Sequence, residues 1–192
     1  MDKIEKAIQF ALDSHGGVKR KGKNSPYILH PLEAMLIVSK LTDDEDVIAA
    51  AVLHDTLEDT DVTQEDLRRE FGDRVANLVN AESENKRRDQ SSESTWKVRK
   101  GETIEHIRHA SREEKLICLG DKLANLREIA GDYSLVGDAL WSRFNQKDKA
   151  MYAWYYGSIY QILLQEFGPI PTIQEYGKLL NEVFGQEGGK SL

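Results

Sequence analysis

His54 and Asp55 stand side by side at the end of an uninterrupted apolar run, Val47 to Leu53, and are followed by Glu58 and Asp59. On a helix His54 shares a face with Ala50 and Glu58, while Asp55 shares one with Ala51, Glu58 and Asp59. One imidazole and three carboxylates thus emerge together from buried surroundings. Such a group is costly to desolvate unless a cation compensates it. Without one, the carboxylates would raise one another's pKa and stay partly protonated. A divalent metal removes both difficulties. The plainer alternative makes His54 a helix-end residue and the acids a solvated last turn, but acids at a helix C-terminus oppose the macrodipole.

Two further residues join this group. Asp121, in Leu119-Gly120-Asp121-Lys122-Leu123-Ala124-Asn125-Leu126-Arg127, has Ile117, Cys118, Ala124 and Asn125 as helical neighbours and so lies toward an apolar face. An inward carboxylate needs a partner, either a metal or an Arg or Lys. His30, between Tyr27-Ile28-Leu29 and Pro31, is by itself a capping or packing residue as readily as a ligand. Taken together, His30, His54, Asp55 and Asp121 form a mixed nitrogen and oxygen set. It suits manganese, iron or zinc and is poorly matched to calcium, which prefers oxygen alone. Four protein ligands leave positions for water and a phosphate oxygen. Glu58 and Asp59 then serve to position or deprotonate that water.

The elements that must carry these residues read as helical almost throughout. Ile4, Ile8, Ala11 and Leu12 share one face, and Leu32, Met35 and Leu36 another after Pro31. Val47 to Asp59 reads as one helix, apolar on all sides in its first half and therefore central. Thr63 with Asp66 forms a capping-box pattern for a short helix ended by Gly72. Ser111 with Glu114 opens a helix running through Ile129, and another covers Asp148 to Phe167, stopped by Gly168-Pro169. Ala81 to Gly101, polar and rich in serine and basic residues, reads as a long loop. Trp141, Tyr152 and Trp154 read as core, with a place beside a pocket as the alternative. No alternating strand run is present. The expectation is an all-α fold in a single domain over residues 1–184, with a disordered tail over 185–192.

Composition narrows the function. A formal charge of −7 argues against a general nucleic-acid binder. The charge is uneven, however: Lys19, Arg20, Lys21 and Lys23 cluster, whereas the stretch from Asp43 to Asp73 is mostly acidic. That division suits a metal site handling a small phosphorylated molecule. The longest apolar run is too short for a bilayer, and the N-terminus has no signal-peptide pattern. The lone Cys118 fits a reducing cytoplasm.

His30-Pro31, His54-Asp55-x-x-Glu58-Asp59 and Asp121-Lys122-Leu123-x-Asn125-Leu126-Arg127 together resemble the HD-type hydrolase domain of the RelA/SpoT homologues. The resemblance runs from about residue 3 to 165, with the motifs in order. It implies a compact HD-domain helical bundle and hydrolysis of the 3′-pyrophosphate of guanosine tetra- and pentaphosphate. It also implies one manganese ion on His30, His54, Asp55 and Asp121, with Glu58 and Asp59 serving the attacking water. Arg20 is expected against the base, Lys21 near phosphate and Asn125 at the ribose. The chain leaves no room for a synthetase domain and so resembles a small stand-alone alarmone hydrolase. It departs from the family where a Val-Thr-Lys-like segment is expected: here Val79-Asn80-Ala81-Glu82-Ser83-Glu84-Asn85-Lys86 leads into a basic stretch. Lys97 and Arg99 are candidates for extra phosphate contacts there. An adenine alarmone or another nucleotide as substrate, and a non-catalytic alarmone sensor, stand as alternatives.

Overall fold

A computed structural model describes residues 2–84, 87 and 89–185. Asn85, Lys86 and Arg88 of the basic stretch and residues 186–192 of the expected tail lie outside the described residues. Among the described residues the secondary structure is helical, with one isolated bridge between Lys19 and Pro26, so the all-α expectation is met. The chain groups into two units: residues 1–84 with 111–124, and residues 85–110 with 125–192.

The first unit holds α1 (Lys3–Ser14), α2 (Leu29–Val38), α3 (Glu45–Leu53), α4 (Thr56–Asp59), α5 (Gln64–Phe71) and α6 (Asp73–Glu82). It also holds the beginning of α8 (Arg112–Val136). Local chemistry sets many of the helix ends. The Asp44 carboxylate caps α3 by accepting from the amides of Asp46 and Val47. Thr63 and Asp66 make the reciprocal capping box that opens α5, and Gly72 ends that helix at φ 88°. α3 is buried from Val47 to Leu53 and packs against α1, α2 and α6, which makes it the centre of this unit.

The single helix expected over Val47 to Asp59 is interrupted. α3 stops at Leu53, and Asp55 sits at φ −91°, ψ −4°, in the bridge region between helices. The buried Thr56 hydroxyl donates to the Leu53 carbonyl at 2.7 Å and satisfies an acceptor that a continuous helix would have served. Periodicity does not reveal such a break, because the residues on both sides remain helical.

The second unit comprises α7 (Trp96–His109), the remainder of α8, a 3₁₀ segment (Gly137–Arg143), α9 (Lys149–Phe167) and α10 (Pro171–Phe184). α9 packs against both α7 and α10. Trp141 stacks on Phe184 at 5.8 Å and meets Tyr152 at 5.1 Å, while Trp96 meets Tyr152 at 5.2 Å. Trp141 and Tyr152 are therefore core residues, and Trp154 is exposed. The expected loop over Ala81 to Gly101 is shorter than the composition suggested. α6 runs to Glu82 and α7 begins at Trp96, so Lys97, Arg99 and Lys100 are helical. Trp96, Ile104 and Ile107 supply the buried anchors that a count of polar residues hides. α10 was not anticipated, although Ile173, Tyr176, Leu180 and Val183 recur at helical spacing and are all buried. Among the described residues no helix is long and apolar enough to cross a membrane.

Candidate metal centre

His30 enters the first unit on the opening turn of α2, where its amide donates to the Tyr27 carbonyl at 3.0 Å. His54 and Asp55 come from the break between α3 and α4, and Asp121 from α8. Gly120 explains how α8 reaches this place. A Cβ on Gly120 would lie 2.7 Å from a Val38 methyl and 2.8 Å from the Ala34 carbonyl oxygen. Only glycine allows α8 to approach the α2 backbone so closely, and the next residue is Asp121.

The four side chains converge. His30 Nε2 lies 3.1 Å from Asp121 Oδ1 and 3.6 Å from Asp55 Oδ2. His54 Nε2 lies 3.0 Å from Asp55 Oδ2 and 3.6 Å from Asp121 Oδ1. His30, His54 and Asp121 are buried, and donor atoms of these three all fall within 4.8 Å of one another, a group able to hold a metal ion.

The protonation pattern favours a cation at this point. His54 Nδ1 is 2.8 Å from the Ala51 carbonyl, a contact that assigns the ring hydrogen to Nδ1. Nε2, buried and without a hydrogen-bond partner among the described residues, faces two carboxylate oxygens, a setting that calls for a proton or a metal ion on it. Burying a charge costs several kcal/mol even after relaxation, which is comparable to the roughly 5–15 kcal/mol stability of a whole domain. Positive charge must therefore sit among these atoms. The electrostatics carry the same sign. Burial would lower the His54 pKa, yet the Asp55 carboxylate holds it well above the usual imidazole range. Burial would raise Asp55 and Asp121, yet the former is held low by His54 and the latter by Lys122. Two imidazoles and two carboxylates match the donor chemistry of a divalent transition metal.

Lys122 pairs directly with Asp121 Oδ2, while Asp121 Oδ1 faces the histidines. The two partners considered for Asp121, a basic side chain and a metal, are thus not exclusive; each can take one oxygen. The neighbouring acids take ordered positions as well. Glu58 Oε2 accepts from the Glu84 amide at 3.2 Å. The Tyr27 hydroxyl lies 2.5 Å from Asp55 Oδ2 and 3.1 Å from Asp59 Oδ2.

Residues 7–148 match the HD domain family. The chain belongs to that family. Among relatives of this HD protein, one from Danio rerio named guanosine-3′,5′-bis(diphosphate) 3′-pyrophosphohydrolase MESH1 is 39% identical over 126 residues, covering 64% of the chain and 66% of that protein. Its Xenopus tropicalis counterpart is 38% identical over 66% of the chain and 69% of its own length. A similarly named Aquifex aeolicus protein is 38% identical over 67% of the chain, but the match spans only 18% of that longer protein. Two solved structures are similar over most of the chain. A Listeria monocytogenes EGD-e protein superposes with a TM-score of 0.70 at 34% identity, covering 82% of this chain and 99% of its own. A metazoan orthologue of SpoT, described as hydrolysing ppGpp, gives a TM-score of 0.71 at 29% identity over 98% and 97% of the two chains. The kinship with RelA/SpoT-type proteins read from the motifs is borne out.

The other sequence candidates in the HD protein occupy varied settings. Arg20 and Lys21 lie in a loop closed by the Tyr27 amide on the Val18 carbonyl at 2.9 Å and the Arg20 amide on the Ser25 carbonyl at 3.0 Å. The Arg20 guanidinium rests over the Tyr27 ring, 5.4 Å from its centroid, and Lys21 is exposed. Asn125 lies one turn after Asp121 on α8. Lys97 is exposed on α7. Arg99 is buried and donates to Thr95 Oγ1 and the Ser92 carbonyl, both at 3.1 Å.

Several residues around the centre carried no role in the sequence reading. Tyr27 and Lys122 stand inside the quoted motifs, but a motif does not say which atom a side chain meets. Glu82 ends α6 with Oε1 buried and unpartnered among the described residues, and burial raises its pKa to about 7. His15 is buried with neither ring nitrogen partnered among the described residues; it packs 5.0 Å from the Tyr27 ring, and burial lowers its pKa. Lys122 stands next to Asp121 in the chain, whereas tertiary packing brings Tyr27 to Asp55 and Asp59 and His15 to Tyr27.

Proposed function

We propose that this HD protein is a manganese-dependent hydrolase that removes the 3′-pyrophosphate of guanosine tetra- and pentaphosphate, releasing pyrophosphate. The observation that carries this reading is the convergence of buried His30, His54 and Asp121 with Asp55, which shares the Tyr27 hydroxyl with Asp59. The names of the relatives supply the substrate class. A divalent ion held by those four residues supplies Lewis acidity and a water of lowered pKa.

The reaction joins the oxygen of water to phosphorus, breaks the bond from phosphorus to the ribose 3′-oxygen, and returns a proton to that oxygen. Glu58 and Asp59 orient the water and accept its proton. Arg20 presents a planar guanidinium to the base, and Lys21, Lys97 and Arg99 meet phosphate charge. Asn125 hydrogen-bonds the ribose. The buried thiol of Cys118 is compatible with the cytoplasmic setting proposed for this chemistry.

The test is incubation of purified protein and manganese with guanine and adenine nucleotides bearing a 3′-pyrophosphate. Pyrophosphate release from the guanine compounds is expected. Release from adenine compounds alone would reassign the base. Binding without release from any member would make the protein a sensor and reject the proposed catalysis.

A further inference from the structure

Tyr27 precedes the first turn of α2, and its phenol reaches the proposed ligand Asp55 and the proposed catalytic acid Asp59. A phenol carries one hydrogen. It cannot donate fully to Asp55 Oδ2 at 2.5 Å and Asp59 Oδ2 at 3.1 Å together, so the two carboxylates share one donor. The Asp55 oxygen in question also faces both histidine Nε2 atoms, at 3.0 Å and 3.6 Å. One lone pair of Oδ2 is therefore available to a cation at the histidines while the other accepts from Tyr27.

The ring of Tyr27 is itself held on several sides. His15 packs at 5.0 Å, His30 meets it edge-on at 6.2 Å, and the Arg20 guanidinium covers it at 5.4 Å. Its amide is tied to the Val18 carbonyl at 2.9 Å. A ring confined in this way holds its hydroxyl in place and restrains Asp55 and Asp59 with it.

We propose that Tyr27 is a positioning residue. Its single hydrogen couples the orientation of a metal ligand, Asp55, to that of the acid that serves the water, Asp59. This rests on the reading of the centre given above and adds a residue to it. Tyr27 does not touch the reacting atoms; it acts through the two carboxylates.

The test compares the whole protein with Tyr27→Phe, which keeps the ring and removes the donor, and with 4-aminophenylalanine introduced at position 27, which keeps a donor. Manganese affinity is measured calorimetrically without nucleotide, and kcat and KM are measured separately. Tyr27→Phe is expected to weaken manganese binding and lower kcat by about ten- to a hundredfold, the usual range for an outer-shell partner, with KM changed by less than about threefold. In an Asp59→Asn background the same replacement should alter kcat by less than about threefold, because the coupled partner is already lost. The aminophenylalanine protein should stay within about threefold of the parent in both quantities. Unchanged manganese affinity in Tyr27→Phe overturns the proposal, as does full additivity with Asp59→Asn. Should Tyr27→Phe fail to fold, as judged by its helical circular dichroism, a tenfold loss of manganese affinity with the donor retained in the aminophenylalanine protein overturns it equally. A parent that binds manganese but hydrolyses none of the nucleotides defeats the proposed substrate, while the manganese titrations still judge Tyr27.

Discussion

The two units differ in what they bury beside their aliphatic cores. The first encloses His15, His30, His54 and Asp121, with Lys122 paired against Asp121. The second encloses Trp96, Trp141, Tyr152, Tyr155 and Tyr156, and its Arg127–Glu175 ion pair at 2.7 Å is only half-buried. The second gains stability from apolar area and ring packing. The first gives up part of that gain to hold polar groups in one geometry, the usual signature of a site rather than a scaffold. Buried acids and imidazoles clustered together therefore point to chemistry, while buried aromatics point to support.

The contrast breaks most decisively at Asp121. On the proposed function, Asp121→Ala should abolish pyrophosphate release and remove the rise in Tm expected on adding manganese to the parent, since a ligand stabilises only the state that binds it. Turnover equal to the parent would show that the first unit is not built around a metal. At the other pole, Trp141→Ala should lower unfolding free energy by about 3–5 kcal/mol in urea titrations, as for other buried aromatics. A loss below about 1 kcal/mol would mean that the aromatic cluster is not a core.

Two glycines of α8 sharpen the same contrast. Gly120→Ala should destabilise by about 1–3 kcal/mol, because the added carbon meets the Ala34 carbonyl at 2.8 Å. Gly131 has nothing within 4 Å of the equivalent carbon, so Gly131→Ala should stabilise by up to about 1 kcal/mol through helix propensity. Equal effects at the two positions would refute the close α2–α8 approach.

Glu82 gives a smaller effect with a definite sign. Burial raises its pKa from 4.5 to about 7. The folded protein then binds more protons than the unfolded chain between those values, so this contribution to stability is complete below pH 4.5 and falls as pH rises through about 7. In chelator at pH 8, Glu82→Gln should be more stable than the parent by on the order of 1–3 kcal/mol, and the difference should vanish at acid pH. A difference independent of pH would contradict the burial of an ionisable carboxyl at this place.

Much of the first unit was legible because its signals are local. The Thr63–Asp66 capping box, Gly72 and the apolar run Val47–Leu53 each act within a turn or two of chain. The break at Asp55 was not legible, since Thr56 satisfies the Leu53 carbonyl without leaving a sequence signal such as proline or glycine. In the second unit α7 was hidden by its polar residues and by Gly101, and α10 was missed despite its apolar spacing. Arg99, read as a phosphate contact, also donates to Thr95 Oγ1 and the Ser92 carbonyl, pairings that residue type alone does not specify.

The sequence by itself determined the helical class and the types and order of His30, His54, Asp55 and Asp121, because helix periodicity and ligand chemistry depend on residue identity and spacing. Tertiary structure alone decided that Asp121 meets His30 at 3.1 Å and His54 at 3.6 Å, that Gly120 lets α8 close on α2, and that Tyr27 joins Asp55 to Asp59. Those outcomes depend on distances between segments from 28 to 91 residues apart, and nothing in a local pattern encodes such a distance.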